Sequence, residues 1–170
     1  MLDREVASLL NEQINKELYS AYLYLDMSGY YADNGLDGFE NWFYIQAQEE
    51  RDHAMLFRTY LLNNDEKVTL GAIAAPDLTY EDFKAPLLAA LKHEQLVTAS
   101  INTIYAAAYE KRDFRTMQFL DWFVKEQGEE EKTSTDLISK FELFGQDPKS
   151  LYMLNQELGA RVYSAPSLVL

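Results

Sequence analysis

Glu50 and His53, in the run Glu49-Glu50-Arg51-Asp52-His53, are three residues apart and share one face of any helix that contains them. The same face carries Phe39, Phe43, Gln46, Phe57 and Tyr60, so a carboxylate and an imidazole stand where a core leucine would normally sit. Alone, the pair is either a hydrogen-bonded couple in a core or half of a metal site. Other apolar stripes are interrupted in the same way. Glu17 breaks one, Glu94 another, and Gln127 with Glu130 a third, each near the middle of its segment. A layer of four carboxylates, an imidazole and an amide cannot stay buried as bare charge, because each uncompensated ion costs several kcal/mol. No Lys or Arg stands on these faces to neutralise it, so cations must come from outside. Oxygen ligands with one imidazole suit divalent iron, manganese or zinc, and two metals sharing a bridging carboxylate balance the charge best. The competing reading is a network of protonated carboxylates, which accommodates one or two acids readily and four poorly.

These residues need long helices to bring them together. Val6, Leu10, Gln13, Glu17, Ser20, Tyr24, Met27 and Tyr31 advance by fours and threes, which predicts a helix over about 3–32 that ends at Asp33-Asn34-Gly35. A second helix is expected over about 37–63, antiparallel to the first because the connection is short. From Asn64 to about Thr79 no helical period holds. Extended at ~3.3 Å per residue, that stretch reaches ~50 Å, enough to run the ~45 Å length of a 30-residue helix. The third helix is expected to begin near Thr79 as N-cap, with Pro86 arguing for a kink or a start one turn later. Its inner face reads Phe83, Leu87, Ala90, Glu94, Val97, Ile101, Ile104 and Ala108. The fourth follows Lys111-Arg112-Asp113 and stops at Gly145-Gln146-Asp147-Pro148, and a short fifth is expected over about 148–162. The pattern is an all-α four-helix bundle with one long crossover and a short fifth helix. Residues 1–163 read as one domain and 164–170 as a tail.

Composition sets the remaining bounds. The 170 residues contain no cysteine, which excludes thiolate zinc sites and iron–sulfur clusters. Neither a signal peptide nor an apolar run near the ~20 residues of a membrane helix is visible, so a soluble cytoplasmic protein is the expectation. The net charge of −13, from 28 acidic and 15 basic residues, repels nucleic acid and attracts cations, or simply keeps the chain soluble.

Glu17 with Tyr24, Glu49-Glu50-Arg51-Asp52-His53, His93-Glu94-Gln95 and Glu126-Gln127-Gly128-Glu129-Glu130 together resemble the bacterial non-haem ferritins, from the first helix to the fifth. The resemblance implies a ferroxidase that oxidises Fe(II) with dioxygen or hydrogen peroxide and stores ferric mineral in a homo-oligomeric shell of 24 subunits. It implies one iron held by Glu17, Glu50 and His53, with Glu50 bridging. A second would be held by Glu94, Glu130 and the bridge, with Gln127 adjacent. Tyr24 matches a tyrosine beside that centre, either an electron donor or a core aromatic with a satisfied hydroxyl. Glu49, Glu126 and Glu129 match a third iron site on the cavity side, or else are partly a solvated acidic face. His93, one residue off the inner face, is expected at the surface or behind the ligands rather than among them.

Departures from related families sharpen the reading. Haem-binding bacterioferritins repeat Glu-x-x-His on the fourth helix, where this chain has Gln127 to Glu130, so the second iron is expected to be held more weakly. Arg51 replaces their haem methionine, so no haem is expected. Rubrerythrin-like peroxidases need cysteine ligands that this chain lacks. Two other readings stay open: a di-iron oxidase or peroxide scavenger that stores no mineral, and a non-catalytic bundle whose polar layer only fixes register.

Overall fold

The computed structural model describes residues 2–170. Five helices follow one another: α1 (Arg4–Asp33), α2 (Asp37–Asn63), α3 (Ala85–Glu110), α4 (Phe114–Phe144) and α5 (Pro148–Gly159), with no strand among the described residues. No described helix is long and apolar enough to cross a membrane. Asp3, Asp113 and Asp147 cap α1, α4 and α5 by accepting from backbone N–H groups in the first turn. Gly35, at φ +72°, takes the left-handed conformation that lets α1 turn back into α2. Leu36 gives α2 no side-chain cap. Asn155 of α5 supplies one instead: its Oδ1 accepts from Gly38 N at 2.8 Å and Phe39 N at 3.2 Å.

Cross-helix contacts give the register. Ser28 pairs with Glu40 between α1 and α2, Tyr60 with Thr116 between α2 and α4, and Tyr105 with Asp121 between α3 and α4. Between α1 and α3, Lys16 reaches Ser100 while Tyr24 reaches Glu94, so these two are antiparallel. The crossover runs along α1. Asn11 Oδ1 accepts from Thr69 N at 2.7 Å and Asn15 Oδ1 from Gly71 N at 3.0 Å; further along, Tyr80 donates to Asp26 and Tyr31 to the Phe83 carbonyl. It therefore delivers α3 to the far end of the bundle, parallel to α2.

The third helix starts later than its sequence suggests. Thr79 is not its cap; Asp82 Oδ1 accepts from Lys84 N at 2.9 Å and Ala85 N at 2.8 Å, and Pro86 falls in the first turn, where its missing N–H costs nothing. At the other end, α5 stops at Gly159, short of the expected 162.

The apolar core is in two parts. One cluster includes Met27, Tyr31, Phe39, Phe43, Leu87 and Leu137; the other includes Leu10, Ile14, Phe57, Leu61, Ile101 and Phe123. Each fully buried side chain of this kind contributes roughly 1.5–3 kcal/mol. Between the two clusters every long helix presents buried polar residues: Gln13, Glu17 and Ser20; Gln46, Glu50 and His53; Glu94; Gln127 and Glu130.

Candidate metal centre

The polar layer has two unlike ends. At one end Glu17 of α1 and Glu50 and His53 of α2 each offer a ligand atom, and the three atoms lie within 4.8 Å of one another. His53 Nδ1 is 3.6 Å from Glu50 Oε2. The imidazole is fixed by the edges of Trp122 and Phe123 from α4, with ring centroids at 5.5 and 5.9 Å. Gln13 donates to Glu17 Oε1 at 2.9 Å, whereas Glu17 Oε2 is the one fully buried side-chain oxygen without a partner among the described residues. A buried, unpartnered carboxylate oxygen beside an imidazole and a second carboxylate fits a cation-accepting site.

At the other end Glu94 and Glu130 are already hydrogen-bonded. Tyr24 donates its phenol to Glu94, and Gln127 Nε2 donates to Glu94 Oε2 at 3.1 Å. Gln46 Nε2 donates to Glu130 Oε2 at 2.9 Å and reaches Glu50 Oε1 at 3.3 Å, so this amide ties the two ends together. A void of about 10 Å³ bordered by Tyr24, Gln46, Glu94 and Glu130 has room for about one water-sized species.

Electrostatically the layer is under strain. Burial raises the pKa of Glu17, Glu50, Glu94 and Glu130; repulsion adds to it, from Glu50 on Glu17, from Glu94 on Glu50, and from Glu94 and Glu50 on Glu130. No described Lys or Arg forms an ion pair with any of the four. Tyr24 is also pushed up, by burial and then by Glu94, so its phenol stays protonated and donates.

Of the outer acids, Glu49, Glu126 and Glu129 line a single cleft of about 330 Å³ with His53 and Glu130. Glu129 points largely into solvent and pairs with Lys125 at 3.3 Å. Glu49 is taken by Arg161, whose Nη2 lies 2.5 Å from its Oε2. His93 is packed behind the layer, edge-on to Tyr24, with Nε2 at 2.7 Å from Ser20 Oγ; burial lowers its pKa to about 4 and leaves it neutral.

Two parts of the site escape a reading based on acids alone. Gln13 and Gln46 each sit four residues before a layer glutamate and donate to it, a Gln-x-x-x-Glu spacing repeated on α1 and α2. Arg161 lies beyond the last helix and carried no signal at all.

A model of the ferritin-like domain matches residues 7–144, which contain every acid, amide and imidazole of the layer. The chain belongs to the ferritin family. This ferritin-like chain is 40% identical over 156 residues to a bacterial non-heme ferritin of Campylobacter jejuni, covering 92% of this chain and 93% of that one. It is 35% identical to a probable bacterial non-heme ferritin-like protein of Haemophilus influenzae, covering 94% and 96% respectively. Among solved structures, an open-pore ferritin from the archaeon Archaeoglobus fulgidus superposes with a TM-score of 0.93 at 38% identity. The match covers 95% of this chain and all of that one. An engineered closed form of the A. fulgidus ferritin gives 0.94 at 37% identity. The ferritin bundle, with its long crossover and short fifth helix, is therefore the fold of this chain.

Proposed function

We propose that this chain is an iron-storage ferroxidase: it oxidises Fe(II) to Fe(III) within each subunit and stores the ferric product as mineral inside a hollow shell of 24 copies. The observation that carries this reading is the four-acid, one-imidazole layer with no Lys or Arg partner and one orphaned carboxylate oxygen, in a chain of the ferritin family. Iron is the substrate here, and the residues divide the work of handling it. Glu17, Glu50 and His53 take the first Fe(II), with Glu50 also facing the second, which Glu94 and Glu130 receive beside Gln127. Two ferrous ions held together can pass two electrons to one dioxygen or peroxide, which a lone ion cannot. Gln46 and Gln13 keep the carboxylates aimed by donating to one oxygen of each and leaving the other for metal. At Glu94 both oxygens are taken, one by the Tyr24 phenol and the other by the Gln127 amide.

The two ends then behave differently. The Glu17–Glu50–His53 end has a free oxygen and an imidazole, whereas the Glu94–Glu130 end must release hydrogen bonds before it can wrap a metal. The second iron is therefore held more loosely and moves on more readily, as storage requires. Glu126 and Glu129, with Glu49 when it is free, offer acids along the exit cleft as a third iron site.

Aerobic addition of Fe(II) to the purified protein, followed by size-exclusion chromatography with iron analysis, tests the reading. Storage requires ferric iron far above two per chain to co-elute with a particle many times the 19.7 kDa chain mass. Uptake that stops at two per chain, on a small particle, would instead mark a di-iron oxidase without storage.

A further inference from the structure

The C-terminal segment beyond α5 forms a wall of the outer acidic cleft. Ser164, Ala165, Pro166 and Ser167 line it opposite Glu126 and Glu129, and Trp122 Nε1 anchors it by donating to Ser167 Oγ at 3.0 Å. Tyr163 donates to Asp52, and Leu168 packs against the core cluster that includes Leu10, Phe57 and Phe123. This segment carries one cation inward, Arg161.

Arg161 is held from several sides. Its guanidinium stacks 4.2 Å from the centre of the Trp42 ring, and Nη1 donates to the Trp42 carbonyl at 3.2 Å and to Gln46 Oε1 at 3.0 Å. Nη2 donates to Glu49 at 2.5 Å, and Asn41 holds the Arg161 carbonyl at 3.1 Å. The side chains of Arg161 and Glu49 are 18% and 17% exposed, so water screens the pair only partly. A guanidinium does not deprotonate in proteins, so its charge is present at every working pH. Because Gln46 spends its oxygen on Arg161, its Nε2 must face Glu50 and Glu130. One arginine thus fixes both an outer acid and the amide that joins the two ends of the metal layer.

We propose that Arg161 is a tethered cation that competes with metal for Glu49, so that Glu49 becomes available as a ligand in the outer cleft only when the C-terminal segment lifts away. The proposal rests on the metal-layer reading above. A divalent ion approaching Glu49 must displace a guanidinium that is stacked on Trp42, bonded to Gln46 and covalently part of the chain. Metal therefore fills the buried layer first and the outer cleft last. The ordering keeps the exit acids from capturing incoming Fe(II) before the layer can oxidise it.

Anaerobic Co(II) titration of the assembled protein, followed by calorimetry and visible absorption, tests this. In the wild type, one equivalent per chain binds tightly, a second less tightly and a third weakest of all. Arg161→Met keeps the apolar stem over Trp42 and removes the charge, and is expected to tighten the third equivalent about tenfold or more. Arg161→Lys, which keeps the charge but cannot reach both Gln46 and Glu49, is expected to fall between the two. Adding Glu49→Gln to Arg161→Met should return the third equivalent to wild-type affinity, an outcome that general loosening of the segment would not produce. A third equivalent unchanged in both single variants, or a gain that survives loss of Glu49, overturns the proposal. A wild type with no tight equivalents at all would instead overturn the metal-layer reading, and the two failures are distinct.

Discussion

Tyr24 on α1 donates its phenolic proton to the Glu94 carboxylate on α3, the one hydrogen bond by which the first helix grips the looser end of the polar layer. Removing the hydroxyl leaves Glu94 with the Gln127 amide alone. Hydrogen bonds to charged groups contribute about 1.5–3 kcal/mol, and this one must be released before Glu94 can wrap a metal, so Tyr24→Phe is expected to tighten the second metal equivalent about tenfold or more and leave the first unchanged. Calorimetric titration with Zn(II), which takes no part in redox chemistry, resolves the two. A weaker second equivalent, or an equal change at both, would mean that Tyr24 does not compete with metal for Glu94.

His53 is the single imidazole of the layer and stands at its better-prepared end. His53→Ala should slow the rapid phase of Fe(II) oxidation by about tenfold or more, while slow mineral growth falls much less, because dioxygen also oxidises Fe(II) bound at an existing mineral surface. Stopped-flow absorbance of the ferric product reads both phases. Wild-type values for both would remove His53 from the site.

The layer's titration gives a pH dependence with a definite sign. Burial and mutual repulsion raise Glu17, Glu50, Glu94 and Glu130 above the value near 4.3 that a free glutamate shows. Between that value and the raised one, the native chain binds more protons than the unfolded chain, so stability falls as pH rises. The contribution is fully present below about pH 4 and is lost as pH climbs through the raised values. Metal-free protein should therefore melt at a lower temperature at pH 8 than at pH 5.5, and divalent metal should stabilise it more at pH 8, where fewer protons must be displaced. Differential scanning calorimetry with and without Zn(II) checks both signs. A Glu17→Gln, Glu94→Gln double variant should flatten the metal-free slope.

Much of this arrangement is legible from spacing. Glu17, Glu50, His53, Glu94, Gln127 and Glu130 announce themselves because each breaks an apolar stripe of period 3.6, and the helices carrying them are long enough to fix their height. The start of α3 is less visible. Thr79 has the right chemistry for a cap, but Pro86 restricts the turn before it, and Asp82 three residues nearer does the capping. Gln13 and Gln46 lie on the correct faces, yet an amide in a core has no distinctive spacing until its acceptor is known. Arg161 could not be found from sequence. Its partner Glu49 is 112 residues away, and the connection depends on how the chain folds back after α5.

The trans cap on α2 has its own consequence. Asn155 is the only side chain that serves the Gly38 and Phe39 amides among the described residues, and an alanine Cβ at Gly38 would lie 1.7 Å from the Asn155 carbonyl oxygen, so α5 docks too closely to allow a substitute. Asn155→Ala is expected to cost about 1 kcal/mol locally and to speed hydrogen exchange at those two amides about fivefold, read by mass spectrometry. Unchanged exchange at both would mean that water replaces the cap at no cost.

The proposed function stands on two metals in one layer that share Glu50. Anomalous diffraction from crystals soaked with Fe(II) without oxygen tests it most directly. Two iron peaks per subunit are expected, one among Glu17, Glu50 and His53 and a weaker one among Glu50, Glu94 and Glu130. Iron found only in the outer cleft by Glu126 and Glu129, with the layer empty, would contradict it.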